Sequence, residues 1–131
     1  MERRLSLSLK LLALFFFWYT VVFILSVLPL LGIGLPSLIQ PSFRGVAYVW
    51  DFELFFTVIY FVWGIYLWKA SRTPQQHKLF IDFTLWATFA HILAMFAVGF
   101  IRTEDFGHLV IDGVALAIPL ALVTIFRYRH G

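Results

Sequence analysis

Apolar residues along this chain gather into four long runs separated by short polar breaks. The runs cover residues 11–31, 50–68, 79–101 and 106–126. Each is close to the ~20 residues a helix needs to cross the ~30 Å hydrocarbon core of a bilayer. Period-two alternation is absent, which argues against a β-barrel. The expected fold is all-α: a four-helix transmembrane bundle forming one integral membrane domain over residues 1–131. The first run ends in a turn-rich stretch holding Pro29, Gly32, Gly34, Pro36 and Pro41. The connection over residues 32–49 is the longest and is expected to fold over the bundle. Pro29 and Pro119 are expected to kink their helices, which membranes tolerate.

Composition sharpens this reading. Hydrophobic residues make up 62% of the chain, against roughly 45–50% in an ordinary globular protein. Charged residues make up 13%, about half the usual ~25%. A soluble domain of this size leaves much of its area exposed and has nowhere to hide so much apolar surface. A cleaved signal peptide fits the first run poorly: the run exceeds the usual ~7–15 apolar residues and offers no small-residue cleavage site. It is also dense in Phe15, Phe16, Phe17, Trp18 and Tyr19, so a retained helix is expected.

The formal charge of +3 does not indicate nucleic acid, because the basic residues flank apolar runs instead of forming a patch. They read as topology signals. With the N-terminus inside, Arg3, Arg4, Lys10, Lys69, Arg72, Lys78, Arg127 and Arg129 are cytoplasmic, and only Arg44 and Arg102 lie outside. Both termini are therefore expected in the cytoplasm. Cysteine is absent, which excludes disulfides, thiolate catalysis and cysteine metal sites. No phosphate loop, catalytic triad order or metalloprotease helix motif is present.

Polar residues inside the runs supply candidate chemistry. Fifteen uncharged residues separate Glu53 from Lys69, and fourteen separate Asp112 from Arg127. At ~1.5 Å per residue both acids stand roughly 22–24 Å above a basic inner boundary. His91 is thirteen residues from Lys78, about 20 Å above that boundary. Three helices thus bring an acid, a histidine and an acid to one expected depth. On the second run Glu53, Thr57, Tyr60 and Gly64 form a polar stripe at helical spacing. On the third, His91 shares a face with Ala87, Ala90, Ala94 and Ala97, and small faces let helices approach closely. On the fourth, His108, Asp112, Ala115 and Pro119 share a face. Ionisable residues in spans usually face the bundle interior or a water-filled cavity, so Glu53, Tyr60, His91 and Asp112 are read as an outward-opening pocket.

Such groups relay protons, anchor the head of a lipophilic molecule such as a quinone, or ligate a divalent metal through His91, His108 and Asp112. Each has a plainer alternative. Asp51 and Glu53 can satisfy the free N–H groups of a helix start. His108 and Asp112 can sit at the membrane surface, and His91 can be an interhelical hydrogen-bond donor. Asp82, one turn after Lys78, is expected to pair with that lysine. Ala87 and His91 also fit an Ala-x-x-x-His pigment motif, a short pattern frequently matched by chance.

One resemblance covers about a third of the chain. Glu53, Tyr60 and Gly64, the segment Lys69, Ala70, Ser71, Arg72, Thr73 and Pro74, then His77, Lys78, Phe83, Trp86, Ala90, His91 and Met95 carry it. Over residues 53–95 the chain resembles a family of small four-helix bacterial inner-membrane proteins of unknown function. In that pattern an acid opens a helix ending in an Arg-x-Pro loop, and the next helix carries Ala-His. The resemblance implies four spans and a multi-pass protein of the bacterial inner membrane, singles out Glu53 and His91, and implies no activity. The function expected first is a non-enzymatic accessory or structural subunit that packs against other membrane-protein subunits or associates with itself in the lipid bilayer. The second is binding or transport of a small lipophilic molecule, proton or metal through the Glu/His/Asp pocket. The third is a redox subunit carrying haem, pigment or quinone; no cofactor is specified by the residues.

Overall fold

The computed structural model describes residues 2–28, 33, 50–101 and 106–128, with side chains for all of them except 26–27, 50–53 and 106–111. These residues are all-helical. Four α-helices follow in order, α1 (Glu2–Val27), α2 (Trp50–Ala70), α3 (Lys78–Ile101) and α4 (Phe106–Tyr128), with a 3₁₀ turn (Pro74–His77) between α2 and α3. The connection 32–49 and the charges at Arg44, Arg102, Glu104, Asp105 and Arg129 lie outside the described residues, as does Pro29. Two stretches, Glu2–Leu25 and Pro74–Ile101, are helices long and apolar enough to cross a membrane; Leu54–Ala70 is a shorter apolar helix.

The α2–α3 corner forms where the chain exchanges one helical ladder for the next. The Ser71 N–H donates to the Leu67 carbonyl at 2.9 Å and that of Arg72 to the Lys69 carbonyl at 3.1 Å. The Ser71 hydroxyl donates to the Trp68 carbonyl at 2.7 Å, so carbonyls that a helix end leaves open are filled. Pro74 then opens the 3₁₀ turn, where its fixed φ suits a first position and its missing N–H costs nothing.

The helices pack side by side in the order α2, α1, α4, α3: α1 lies along both α2 and α4, and α3 lies along α4. The central place of α1 is written in its buried residues. Leu5, Leu9, Leu12, Ala13, Phe16 and Phe23 are buried, and their spacing puts them on one helix face. This face meets Leu67 of α2, Ile81, Leu85 and Ile92 of α3, and Leu116, Leu120 and Val123 of α4 in a single core. Helix α1 begins nine residues before the apolar run at position 11, and its first turns bury Leu5 and Leu9. The Ser8 hydroxyl folds back onto the Leu5 and Arg4 carbonyls at 3.0 and 3.1 Å.

Two contacts set the register. Gly64 accepts Phe17: a Cβ there would meet Phe17 Cε1 at 2.8 Å. Asp82 takes Arg127 from α4 in a bidentate pair, Nε to Oδ1 at 3.0 Å and Nη2 to Oδ2 at 2.9 Å. The Tyr128 hydroxyl adds a bond to Asp82 Oδ1 at 3.4 Å. Lys78 is thus not the partner of Asp82, contrary to the spacing argument. A fork-shaped guanidinium aligns two bonds with a carboxylate, and the antiparallel end of α4 delivers one.

The outside of the molecule is apolar. Phe55, Ile59 and Val62 on α2 and Trp86, Leu93 and Phe100 on α3 are all exposed, Phe100 at 72%. Only 33% and 28% of the apolar windows in the two long stretches are buried. The expected close approach of another helix to Ala90, Ala94 and Ala97 does not occur among the described residues: all three are exposed.

Two outcomes test this packing. Gly64→Leu drives a branched side chain into Phe17 and is expected to cost about 1–3 kcal/mol, read as a lower unfolding midpoint in detergent. Arg127→Met leaves the Asp82 carboxylate without its charged donors and is expected to cost about 1.5–3 kcal/mol; Arg127→Lys, which lacks the fork, should recover only part of that loss.

Candidate functional site

Helices α2 and α3 follow one another in sequence, yet their backbones come close at few positions. Aromatic side chains fill the distance. Reading away from the end that holds Lys69 and Arg127, Tyr66 meets Phe80 with ring centroids 6.2 Å apart. Trp63 stacks on Phe83 at 5.5 Å and 20°, and its Nε1 donates to Thr84 Oγ1 at 2.9 Å. The Tyr60 hydroxyl lies 3.3 Å from His91 Nε2. Positions 60, 63 and 66 share one face of α2, and 80, 84, 87 and 91 share one face of α3. Helical side chains lean toward the N-terminus of their own helix. In this antiparallel pair Tyr60 therefore leans away from the basic end and His91 toward it, so the tips meet.

The pair stands against rings from α1. Phe16 stacks on Tyr60 at 5.2 Å and on Trp63 at 5.6 Å, and Tyr19 meets Tyr60 edge-on at 5.1 Å. Together with Phe83 these rings form a continuous slab across α1, α2 and α3. Two buried hydroxyls beside it, Thr57 Oγ1 and Thr88 Oγ1, have no hydrogen-bond partner among the described residues. Thr88 lies one turn from both Thr84 and His91, and Thr57 one turn from Tyr60. His91 itself is exposed, and Tyr60 is its only hydrogen-bond partner among the described residues.

Of the four expected pocket residues, the structure joins Tyr60 and His91. Glu53 stands in α2 seven residues, about 10 Å, beyond Tyr60; its side chain and that of His108 are outside the described ones. Asp112 is partly buried on α4. The register of α3 against α4 separates it from His91. Gly113 lies against Phe96, just as Arg127 pairs with Asp82, and fourteen residues divide the two contacts on either helix. Asp112 consequently stands six residues, about 9 Å, further from the basic end than His91. The expected common depth assumed that Lys78 and Arg127 mark one level. Arg127 is level with Asp82 instead, one turn further along. A shared ion needs ligands within about 2 Å of it, so this register works against His91 and Asp112 as co-ligands. Among the described residues no three His, Asp or Glu side chains gather.

Trp63, Thr84, Thr88 and Phe16 went unnoticed in the sequence. Their signal was available for two: Trp63 follows Tyr60 by three, and Thr84 precedes His91 by seven, the spacings of one helix face.

The chain belongs to a family of unknown function, DUF6632, whose family model matches residues 6–129. The match is far wider than the segment 53–95 and takes in α1 and α4. No curated protein and no solved structure matches the chain.

The Tyr60–His91 contact has a measurable coupling. A double-mutant cycle with Tyr60→Phe and His91→Phe in detergent or bilayer should give about 0.5–1.5 kcal/mol, the range for such bonds between membrane helices. Strict additivity of the two changes would show that the bond does not form.

Proposed function

We propose that this DUF6632 protein is a multi-pass protein of the bacterial inner membrane. In this reading its four helices span the bilayer with both termini cytoplasmic, and it serves as an accessory subunit that receives another membrane helix on α3. One observation carries the reading: Ala90, His91, Ala94 and Ala97 form an exposed strip that no other helix covers among the described residues. Small residues at this spacing admit a neighbouring backbone, and a polar side chain among them bonds across the contact. An imidazole has two nitrogens to satisfy. Tyr60 serves Nε2, and Nδ1 has no partner among the described residues. A polar group left unpaired in hydrocarbon is costly, so a partner helix offering a donor or acceptor is favoured there. The membrane setting is supported by the exposed apolar surface of α2 and α3 and by basic residues gathered at one end.

A second reading draws on the unpartnered hydroxyls of Thr57 and Thr88. With Tyr60 and His91 they line an aromatic-walled seam suited to the head of a small lipophilic molecule, quinone-like cofactors included, or to a proton path through Tyr60 and His91. Glu53 and Asp112 would then guard its outer end.

Affinity purification from native membranes in mild detergent discriminates the two. The wild type should run as a complex with another membrane protein or with itself. Ala94→Phe should reduce the recovered complex roughly tenfold or more, while Ala121→Phe on the exposed face of α4 should leave it unchanged. A chain that always runs alone sinks the subunit reading; bound lipophile or a visible absorption band in that lone species moves the assignment to the seam.

A further inference from the structure

The side chains that hold α2 and α3 apart form a ladder, and its outermost rung is incomplete. From the basic end outward, Tyr66 meets Phe80, Trp63 meets Phe83, and the Tyr60 hydroxyl reaches His91. The next ring is Phe56, seven residues before Trp63 and therefore on the same face of α2. Its centroid lies 6.4 Å from that of Tyr60, with the planes 29° apart. Tyr60 is its one ring partner among the described residues. Phe56 leans toward the N-terminus of α2, which carries it outward past His91 to where α3 presents Ala94. A methyl group stands there in place of a ring. Phe56 is 51% exposed, and His91 and Ala94 are exposed too, so this rung opens sideways from the bundle.

Beneath it, the Tyr60–His91 pair has a hydrogen to spare. When the Tyr60 hydroxyl donates to Nε2, the neutral imidazole carries its proton on Nδ1. When Nε2 donates to the hydroxyl oxygen, the phenol keeps its own hydrogen free. In both tautomers one polar hydrogen has no acceptor among the described residues. We infer that the Phe56–Ala94 rung binds the head of a lipid-borne quinone. Its flat ring lies beside Phe56 against Ala94, a ring carbonyl accepts from Tyr60 or His91, and the tail runs out into the bilayer. The flat ring extends a stack in which Phe16 and Phe56 already lie 24° and 29° from the plane of Tyr60. The carbonyl takes the spare hydrogen, and the sideways opening admits a molecule dissolved in lipid. A bare acyl chain satisfies only the last of these. The inference rests on the seam reading, which it narrows to one ligand class, and needs no partner helix.

The purified chain in detergent is titrated with decylubiquinone while tryptophan emission is followed, Trp63 being stacked on the same Phe16 as Tyr60. Quenching of the wild type should saturate. Ala94→Phe supplies the missing ring at an exposed position and should weaken binding roughly tenfold or more. Tyr60→Phe with His91→Phe keeps both rings, removes both donors and should weaken it roughly tenfold. Ala90→Phe, about a quarter-turn round α3 from His91, should bind as the wild type does. An unchanged unfolding midpoint in each variant shows that binding and not folding is being read. Saturable quenching that Ala94→Phe leaves unaltered would overturn the site. Decylbenzene, with ring and tail but no carbonyl, should not relieve the quenching. Relief equal to that given by a second, non-quenching quinone analogue would overturn the quinone and leave the seam as a site for any lipophile. Quenching that never saturates would remove both.

Discussion

The separation of α2 from α3 governs the rest of the structure. Trp63 and Tyr60 are too large to let the two backbones meet, and Phe16 of α1 lies against both. A helix pair joined by so short a corner would ordinarily close along its whole length. Here it closes through rings, and α1 is drawn into the core to back them. That places α1, first in sequence, between α2 and α4, and leaves one side of α3 uncovered. The Tyr60–His91 bond, the exposed alanines and the unpartnered threonines all follow from one spacing.

Much of this was legible in the sequence, and the reason differs by residue. The four helices could be read because apolar run length is a local property. Tyr60 entered through the polar stripe it shares with Glu53, and His91 by counting from Lys78; the two stand about 6 Å apart in depth by residue count, a gap closed by side chains that lean toward each other. Asp82 was misread for the complementary reason. Local spacing offers Lys78 one turn away, whereas the actual partner, Arg127, is forty-five residues distant and requires knowledge of which helix lies beside α3. The same missing neighbour misplaced Asp112: levelling Arg127 with Lys78 put Asp112 near the depth of His91, and levelling it with Asp82 moves Asp112 outward by about one turn. The early start of α1 was hidden because Arg3, Arg4 and Lys10 interrupt the hydropathy without interrupting the helix.

Gly64 shows how one residue can carry two meanings. It sits on the stripe with Glu53, Thr57 and Tyr60, where it looked like part of a polar face. Its place in the structure is steric: it is where Phe17 crosses α2. Thr57, in the same stripe, is buried on that side with its hydroxyl unmatched. The stripe therefore divides, one edge packing on α1 and the other, through Tyr60, reaching α3. Periodicity locates the inward face of such a helix; which neighbour each edge serves depends on ring sizes two helices away.

The two ends of the molecule then differ in kind. At the basic end three of the cations are tied down: Asp82 holds Arg127, and Trp68, Tyr66 and Tyr128 lie under Lys10, Lys69 and Arg127. Toward the other end, polarity is left incomplete, with Thr57, Thr88 and one nitrogen of His91 lacking partners among the described residues. Buried polar groups in settled folds are nearly always matched, and the penalty for leaving them unmatched is greatest where water is absent. The proposed partner helix rests on this contrast: rings hold the cations at one end, and away from it α3 carries an exposed small-residue strip while hydroxyls on α2 and α3 stay unmatched among the described residues.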